Sequence, residues 1–312
     1  MHMNSLTSLV RDVPGTGSEA PGDAWPGAVT DIVGTMDKVA APAPVSVVIP
    51  CFRCGDTIGD AVASVAAQTV LPAEVILVDD CSGDGTPAVL RRLAAQYPAG
   101  WIKVLESAVN TGPSGARNAG WEHAREEYIA FLDSDDSWAP RKLELQMEVL
   151  RADPSIALLA HRMDVRERGL PPPVLRPPVR TSILGRRRVL LNNPFPTASV
   201  VLRRDLPFRF NENFRRVEDF LLWAEISGAG HRCARINQTL ASYHKAHYGV
   251  GGLSGDLAAM HRAGRKVRQE LLRQGLMTRP EYYFTRVLSI FRRSGHKLVL
   301  LVRQASRADS PR

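Results

Sequence analysis

From Val45 onward the chain repeats one rhythm, a short β-branched run followed by a stretch with apolar residues at helical spacing. VSVVIP precedes TIGDAVASVAAQ, EVILVDD precedes TPAVLRRLAAQY, and WIKVLES precedes PSGARNAGWEHARE. YIAFLD, RKLELQMEVLRA and IALLAHR continue the series. Strands that read as nearly continuous apolar runs are buried on both faces, and crossover helices provide the cover. The alternation therefore predicts an α/β fold with βαβ units and a Rossmann-like, mostly parallel sheet flanked by helices. With 312 residues, 44% of them hydrophobic, the chain can bury a full core of this kind and a small appendage besides.

The rhythm is interrupted in three places. Residues 1–43 mix Pro, Gly, Ala, Ser and Thr without sustained periodicity and read as a flexible leader. Residues 166–188, rich in Pro and Arg, read as a long exposed excursion. Residues 251–312 carry two amphipathic basic helical patterns and read as a helical extension. The main domain is thus expected over 44–250, with a first half over about 44–160 and a second over about 161–250.

Composition narrows the setting more than the chemistry. Cysteines at 51, 54, 81 and 233 make no disulfide framework, which points to a reducing, cytoplasmic compartment. No apolar run reaches the roughly 20 residues of a membrane helix. A net charge of +8 is compatible with nucleic acid, anionic lipid or a phosphorylated small molecule.

Ligands of open parallel sheets bind beyond the carboxyl ends of the strands, and three of these strands end in IPCF, VDD and FLDSDD. Acids after a strand commonly serve as turn formers or helix caps. Two such clusters on one rim point instead to a shared counter-ion. A hard divalent cation, Mn²⁺ or Mg²⁺, is the natural candidate, because Mg²⁺ is held by one or two carboxylates plus water and substrate phosphate oxygens.

The ordered set IPCF, VDDCSGDGT, NTGPSGARNAG, FLDSDDSW, NPFPTASVV and VEDFLLW, spread over about residues 45–250, resembles the family 2 inverting glycosyltransferases of GT-A fold. The resemblance implies a nucleotide-sugar donor, with a UDP- or dTDP-sugar favoured, and a hydroxyl acceptor. Pro50 and Phe52 then lie at the donor's base, where an aromatic can stack. Asp80 would accept a hydrogen bond from base or ribose, with Asp79 as its neighbour, and Arg117 would meet the diphosphate. Asp133-Ser134-Asp135 takes the place of the family's DxD motif, with Asp135 as first metal ligand, Asp133 beside it and Asp136 as a cap. Asp219 would be the base that deprotonates the acceptor hydroxyl, supported by Glu218. A family histidine near the metal has two counterparts in YHKAHYG, His247 and His244, and neither spacing fits cleanly.

Other readings are weaker. GTGSEA at 15–20 follows no strand, so a dinucleotide fingerprint is unsupported. Cys51 and Cys54 form CxxC without a second pair. A sugar-nucleotide pyrophosphorylase needs a Gly-rich, Arg-containing loop after the first strand, which CFRCGDTI lacks. A non-enzymatic nucleic-acid module would rest on Arg176, Arg180 and Arg186 to Arg188 without interleaved aromatics, so no nucleic-acid partner is expected. Over residues 282–307 an apolar stripe is interleaved with arginines. Burial of that stripe on the main domain or on a second subunit is the expectation, as in a homodimer. Weak peripheral contact with the inner face of a membrane is the alternative.

Overall fold

A computed structural model describes residues 10–12, 41–191, 193–244 and 256–288. Its centre is a ten-stranded sheet in the order β1-β4-β3-β2-β5-β9-β7-β10-β6, with β8 also paired to β10. The strands are β1 (Val10–Asp12), β2 (Ala43–Cys51), β3 (Pro72–Asp79), β4 (Ile102–Ser107), β5 (Tyr128–Phe131), β6 (Asp136–Trp138), β7 (Ile156–Val165), β8 (Thr181–Ile183), β9 (Val201–Arg203) and β10 (Arg232–Tyr243). Strands β2, β3, β4 and β5 are parallel neighbours. β9 runs antiparallel to both β5 and β7, and β10 is parallel to β7. Six strands therefore point one way, and the carboxyl ends of β2, β3, β5 and β10 fall on one rim.

The mostly parallel sheet expected from the sequence is observed, and its parallel run is unbroken from β4 to β5. The chain reaches β9 from a short helix over Arg186–Leu191 through residues 193–196 and a single 3-10 turn, Thr197–Ser199. The leader departs from expectation at Val10–Asp12, which pairs antiparallel with Leu105 to Ser107 of the edge strand β4. An edge strand offers a row of open backbone groups, and a passing extended segment satisfies them.

The helices are α1 (Ile58–Ala66), α2 (Thr86–Ala94), α3 (Gly112–His123), α4 (Lys142–Ala152), α5 (Arg186–Leu191), α6 (Glu218–Gly228) and α7 (Leu257–Arg273). Strand alternation divides the core into two layers. Val47, Ile49, Val75 and Leu77 join one apolar cluster with α1, α2 and α4, whereas Val48, Ile76 and Val78 join another with α3, α5, α6 and α7. α3 lies unusually close to the sheet. A Cβ on Gly120 would stand 2.3 Å from Val48 Cγ1, so only glycine permits this approach.

The excursion is pinned rather than loose at its middle. Gln238 of β10 accepts from Arg176 N and donates to Arg176 O. Arg186 pairs with Glu281 and donates to the Leu276 carbonyl, so the basic run is partly occupied by contacts within the protein. α7 buries Val267 and Leu271 against α6, and Met277 and Tyr282 enter the same core. In the helical stretch 279–288, Tyr283, Phe284 and Val287 remain exposed. The second apolar stretch, around 298–302, lies outside the described residues.

Candidate active site

The rim is built where the parallel strands stop. Cys51 at the end of β2 pairs with Asp79 at the end of β3, and the Leu132 N–H bonds to the Val48 carbonyl as the chain leaves β5. Phe52 follows β2 with its ring 48% exposed, one of the few large apolar side chains left open. Arg53, the next residue, has φ of 49° and is held by Ser82, whose hydroxyl accepts from its N–H and whose carbonyl accepts from its Nε. A non-glycine residue in the left-handed region carries strain, which here fixes where Phe52 leaves the strand.

Asp79 and Asp80 are both almost fully buried. Asp79 accepts from the Ser82 hydroxyl at 2.5 Å and from the Ser82 N–H at 3.2 Å, closing the VDDCSG turn. Asp80 accepts from Thr111 N, Thr111 Oγ1 and Gly112 N at 2.7 to 2.9 Å, so it caps α3 from the neighbouring strand. Burial pushes its carboxyl above the usual range, and the donors at Thr111 and Gly112 pull it back. Its carboxylate ties β3 to α3, and Phe52 is the exposed group at this strand end.

Arg117 is 5% exposed, and its two terminal nitrogens donate to Asp133 Oδ1 at 2.6 Å and Glu218 Oε1 at 2.8 Å. Its guanidinium carbon lies 5.4 Å from the centre of the Phe210 ring, which packs in turn against Phe131 and Trp223. Burial works against the charge, but Asp133 and then Glu218 more than offset it, so the group is held protonated. An arginine so enclosed joins two carboxylates from distant parts of the chain.

Asp133, Ser134 and Asp135 are half-buried in the turn between β5 and β6, and the Asp136 N–H closes that turn on the Asp133 carbonyl. Asp136 itself is buried in β6, opposite Tyr243 of β10. His244 follows Tyr243. Its Nδ1 faces the Arg166 carbonyl at 3.2 Å, which can only accept, so Nδ1 carries the proton and Nε2 accepts from the Ser137 hydroxyl at 2.8 Å. His244 thus braces the strand that carries Asp136. His247 lies outside the described residues. Ser134 adjoins the Cys54 thiol, and Cys54 and Cys51 share a hydrogen bond, both as free, buried thiols.

The other wall of the site is the start of α6. Val217, immediately before it, has φ of 61°, a costly conformation for a β-branched residue. The turn presents Glu218 to Arg117 and leaves Asp219 beside the 193–197 segment. Asp219 accepts from Asn193 Nδ2 at 2.8 Å, from Thr197 Oγ1 at 3.4 Å and from the Phe220 N–H at 2.7 Å. Burial, followed by the Glu218 charge, pushes its pKa up to about 6, against the Asn193 and Phe220 hydrogen bonds and the Arg117 charge. A carboxylate so poised is half-protonated near pH 6 and suited to take a proton near neutrality.

Asn193 and Thr197 had no assigned role in the sequence reading. Their signal was the polar residues Asn193, Thr197 and Ser199 within the NPFPTASVV run, ahead of a strand. Among the described residues no three His, Cys, Asp or Glu side chains are gathered as a protein-only metal cage. Asp133 and Asp135 suit a cation that takes one or two carboxylates and completes its shell from elsewhere.

A model of glycosyl transferase family 2 matches residues 46–210, more than half of the chain. The succinoglycan biosynthesis protein ExoO of Rhizobium meliloti is 34% identical over 214 residues, which cover 64% of this chain and 59% of that protein. The UDP-Glc:alpha-D-GlcNAc-diphosphoundecaprenol beta-1,3-glucosyltransferase WfgD of Escherichia coli is 30% identical over 182 residues, 58% of this chain and 69% of that protein. The chain thus spans about three fifths to two thirds of the length of these two relatives. Among solved structures, S. aureus TarS 1-349 in complex with UDP-GlcNAc matches with a TM-score of 0.58 at 21% identity, over 73% of this chain and 66% of that one. The mannosyltransferase PcManGT from Pyrobaculum calidifontis, in complex with GDP-Man and Mn2+, matches with a TM-score of 0.57 at 18% identity, over 90% and 86%. The fold is that of the GT-A glycosyltransferases.

Proposed function

The chain belongs to glycosyl transferase family 2, and from that premise we propose that it moves one sugar from a nucleotide-sugar donor to an acceptor hydroxyl with inversion at the anomeric carbon. The observation that carries this reading is the Arg117 bridge, which links Asp133 on the donor rim to Glu218 beside Asp219. One rigid charged array therefore joins the side where a nucleoside diphosphate would leave to the side where a hydroxyl would attack.

The exposed face of Phe52 offers a stacking surface for the base. UDP-GlcNAc in the TarS structure supports a uridine donor, and GDP-Man in PcManGT keeps the base open to test. Asp219 takes the proton from the acceptor hydroxyl as it attacks. Asn193 and Thr197 hold one of its oxygens, so the other is directed by the Phe220 N–H. Burial and then the Glu218 charge raise its basicity, and the Arg117 charge offsets this only in part. Asp135 with Asp133 would hold Mn²⁺ or Mg²⁺, which neutralises charge developing on the departing diphosphate. The relatives ExoO and WfgD support exopolysaccharide or lipid-linked oligosaccharide assembly as the setting. No described helix is long and apolar enough to cross a membrane.

A panel of UDP-, dTDP- and GDP-sugars, assayed for nucleoside-diphosphate release with and without EDTA, tests the reaction. Release that depends on Mn²⁺ or Mg²⁺ and is lost in Asp135→Ala, with melting temperature unchanged, is the expected result. Undiminished release in that variant removes Asp135 from the metal site, and a retained anomeric configuration in the product overturns the inverting base.

A further inference from the structure

A pocket of about 300 Å³ opens on the far side of the segment that holds Asp219. Asn193, Pro194 and Pro196 form one wall, and Arg162 and Arg235 line it from the adjacent strands β7 and β10. Asn193 is common to both places. It lines the pocket and donates to Asp219 at 2.8 Å, so whatever fills the pocket lies one side chain from the base.

The charge of the pocket is one-sided. Arg235 is half-buried, and its guanidinium is held below the usual range first by burial, then by the positive charges of Arg162 and Arg188. Other arginines near the site have carboxylates: Arg117 has two, Arg166 has Asp164 and Arg186 has Glu281. Among the described residues Arg162, Arg188 and Arg235 form no ion pair within 4.0 Å. Arg162 and Arg235 line the concave surface, and Arg188, outside it, adds a third like charge that Arg235 feels. Like charges so placed repel one another, and an anion that fills the pocket relieves that repulsion while gaining charge-assisted hydrogen bonds. Arg162 is exposed and Arg235 half-buried, on neighbouring strands whose pairing shifts register between Arg235 and Thr239.

We propose that this pocket binds an anionic group, a phosphate or a carboxylate, carried by the acceptor. The acceptor is thereby a sugar that bears its own negative charge close to the reacting hydroxyl, such as a glycosyl phosphate or a uronic acid. The assignment of the anion to the acceptor rests on Asp219 as the base; the anion site itself rests on the arginines alone.

Calorimetric titration of the protein saturated with UDP and Mn²⁺, which fills the donor side, separates the two. N-acetylglucosamine 1-phosphate and glucuronate are the charged probes, and neutral N-acetylglucosamine and glucose are their controls. At least one charged probe should bind about tenfold or more tighter than its neutral control, roughly 1.4 kcal/mol. The Arg162→Gln/Arg235→Gln variant should lose that advantage with UDP affinity and melting temperature unchanged. A larger arginine-dependent gain for the phosphate identifies a glycosyl phosphate, and a larger gain for glucuronate identifies an acidic sugar. Equal binding of charged and neutral probes, or a preference that survives in the double variant, overturns the site. In Asp219→Asn the charge preference should persist while transfer is lost. Transfer that survives there, beside intact anion binding, removes the base reading and leaves the anion site standing.

Discussion

Two adjacent pairs of acids stand at the ends of secondary-structure elements, Asp79-Asp80 after β3 and Glu218-Asp219 at the head of α6, and the protein uses them in opposite ways. The first pair is saturated by hydroxyl and backbone donors from Ser82, Thr111 and Gly112. It fastens a loop and a helix. The second pair faces one arginine that answers only Glu218 directly, and Asp219 is left with a pKa near 6. Asp80 and Asp219 each accept three hydrogen bonds and both are raised by burial; the Glu218 charge beside Asp219 is what sets the second pair apart.

The largest effect expected from this contrast is on rate. Asp219→Asn should lower the chemical step by about 10²- to 10⁴-fold, with donor affinity held. Wild-type activity should rise with pH through about 6 as the base deprotonates. Stability moves the other way. Because the folded pKa is raised above 3.8, the folded state binds the proton more tightly, so stability is full below about 3.8 and declines as pH climbs through 6. Asp219→Asn should therefore melt above the wild type at pH 7, and a lower melting temperature would place Asp219 among the structural acids.

Next in size is the link between the two walls. Arg117→Met leaves Glu218 and Asp133 facing each other without a cation and should destabilise the protein by about 3–5 kcal/mol, as loss of one partner of a buried pair does. Adding Glu218→Gln should restore part of that stability, and strict additivity in denaturant titrations would show that the bridge couples nothing.

The smallest expected effect tests the first pair. Asp80→Asn keeps the shape but replaces one accepting oxygen with a donor against Thr111 and Gly112, at a cost of about 1–3 kcal/mol. The variant should retain UDP affinity within a few fold. A selective loss of nucleotide binding with unchanged stability would move Asp80 from the scaffold to the donor site and erase the contrast.

Much of this architecture could be read along the chain, because it depends on local periodicity. Runs such as VSVVIP and EVILVDD can satisfy two buried faces only as interior parallel strands, and the helical stretches between them can only be their crossovers. The rim followed from the same logic, since acids that end successive parallel strands must share an edge. The position of Asp219 was legible too, as an acid at the head of an apolar helix.

What local pattern could not reveal were contacts between residues far apart in sequence. Nothing local to Arg117 reveals that Asp133 and Glu218 close on it from two other elements. Nor does the VDD run reveal that Asp80 holds the start of α3. β9 runs antiparallel to β5 and β7, and the segment that enters it brings Asn193 and Thr197 to Asp219. The basic pocket needs Arg162 and Arg235 from two strands and Asn193 from the segment before β9. Hydrophobic period is encoded within a few residues, so the chain alone specifies strands, helices and their order. Burial, ion pairing and pKa depend on which distant groups share a small volume of low dielectric, and those emerge only when the sheet is assembled.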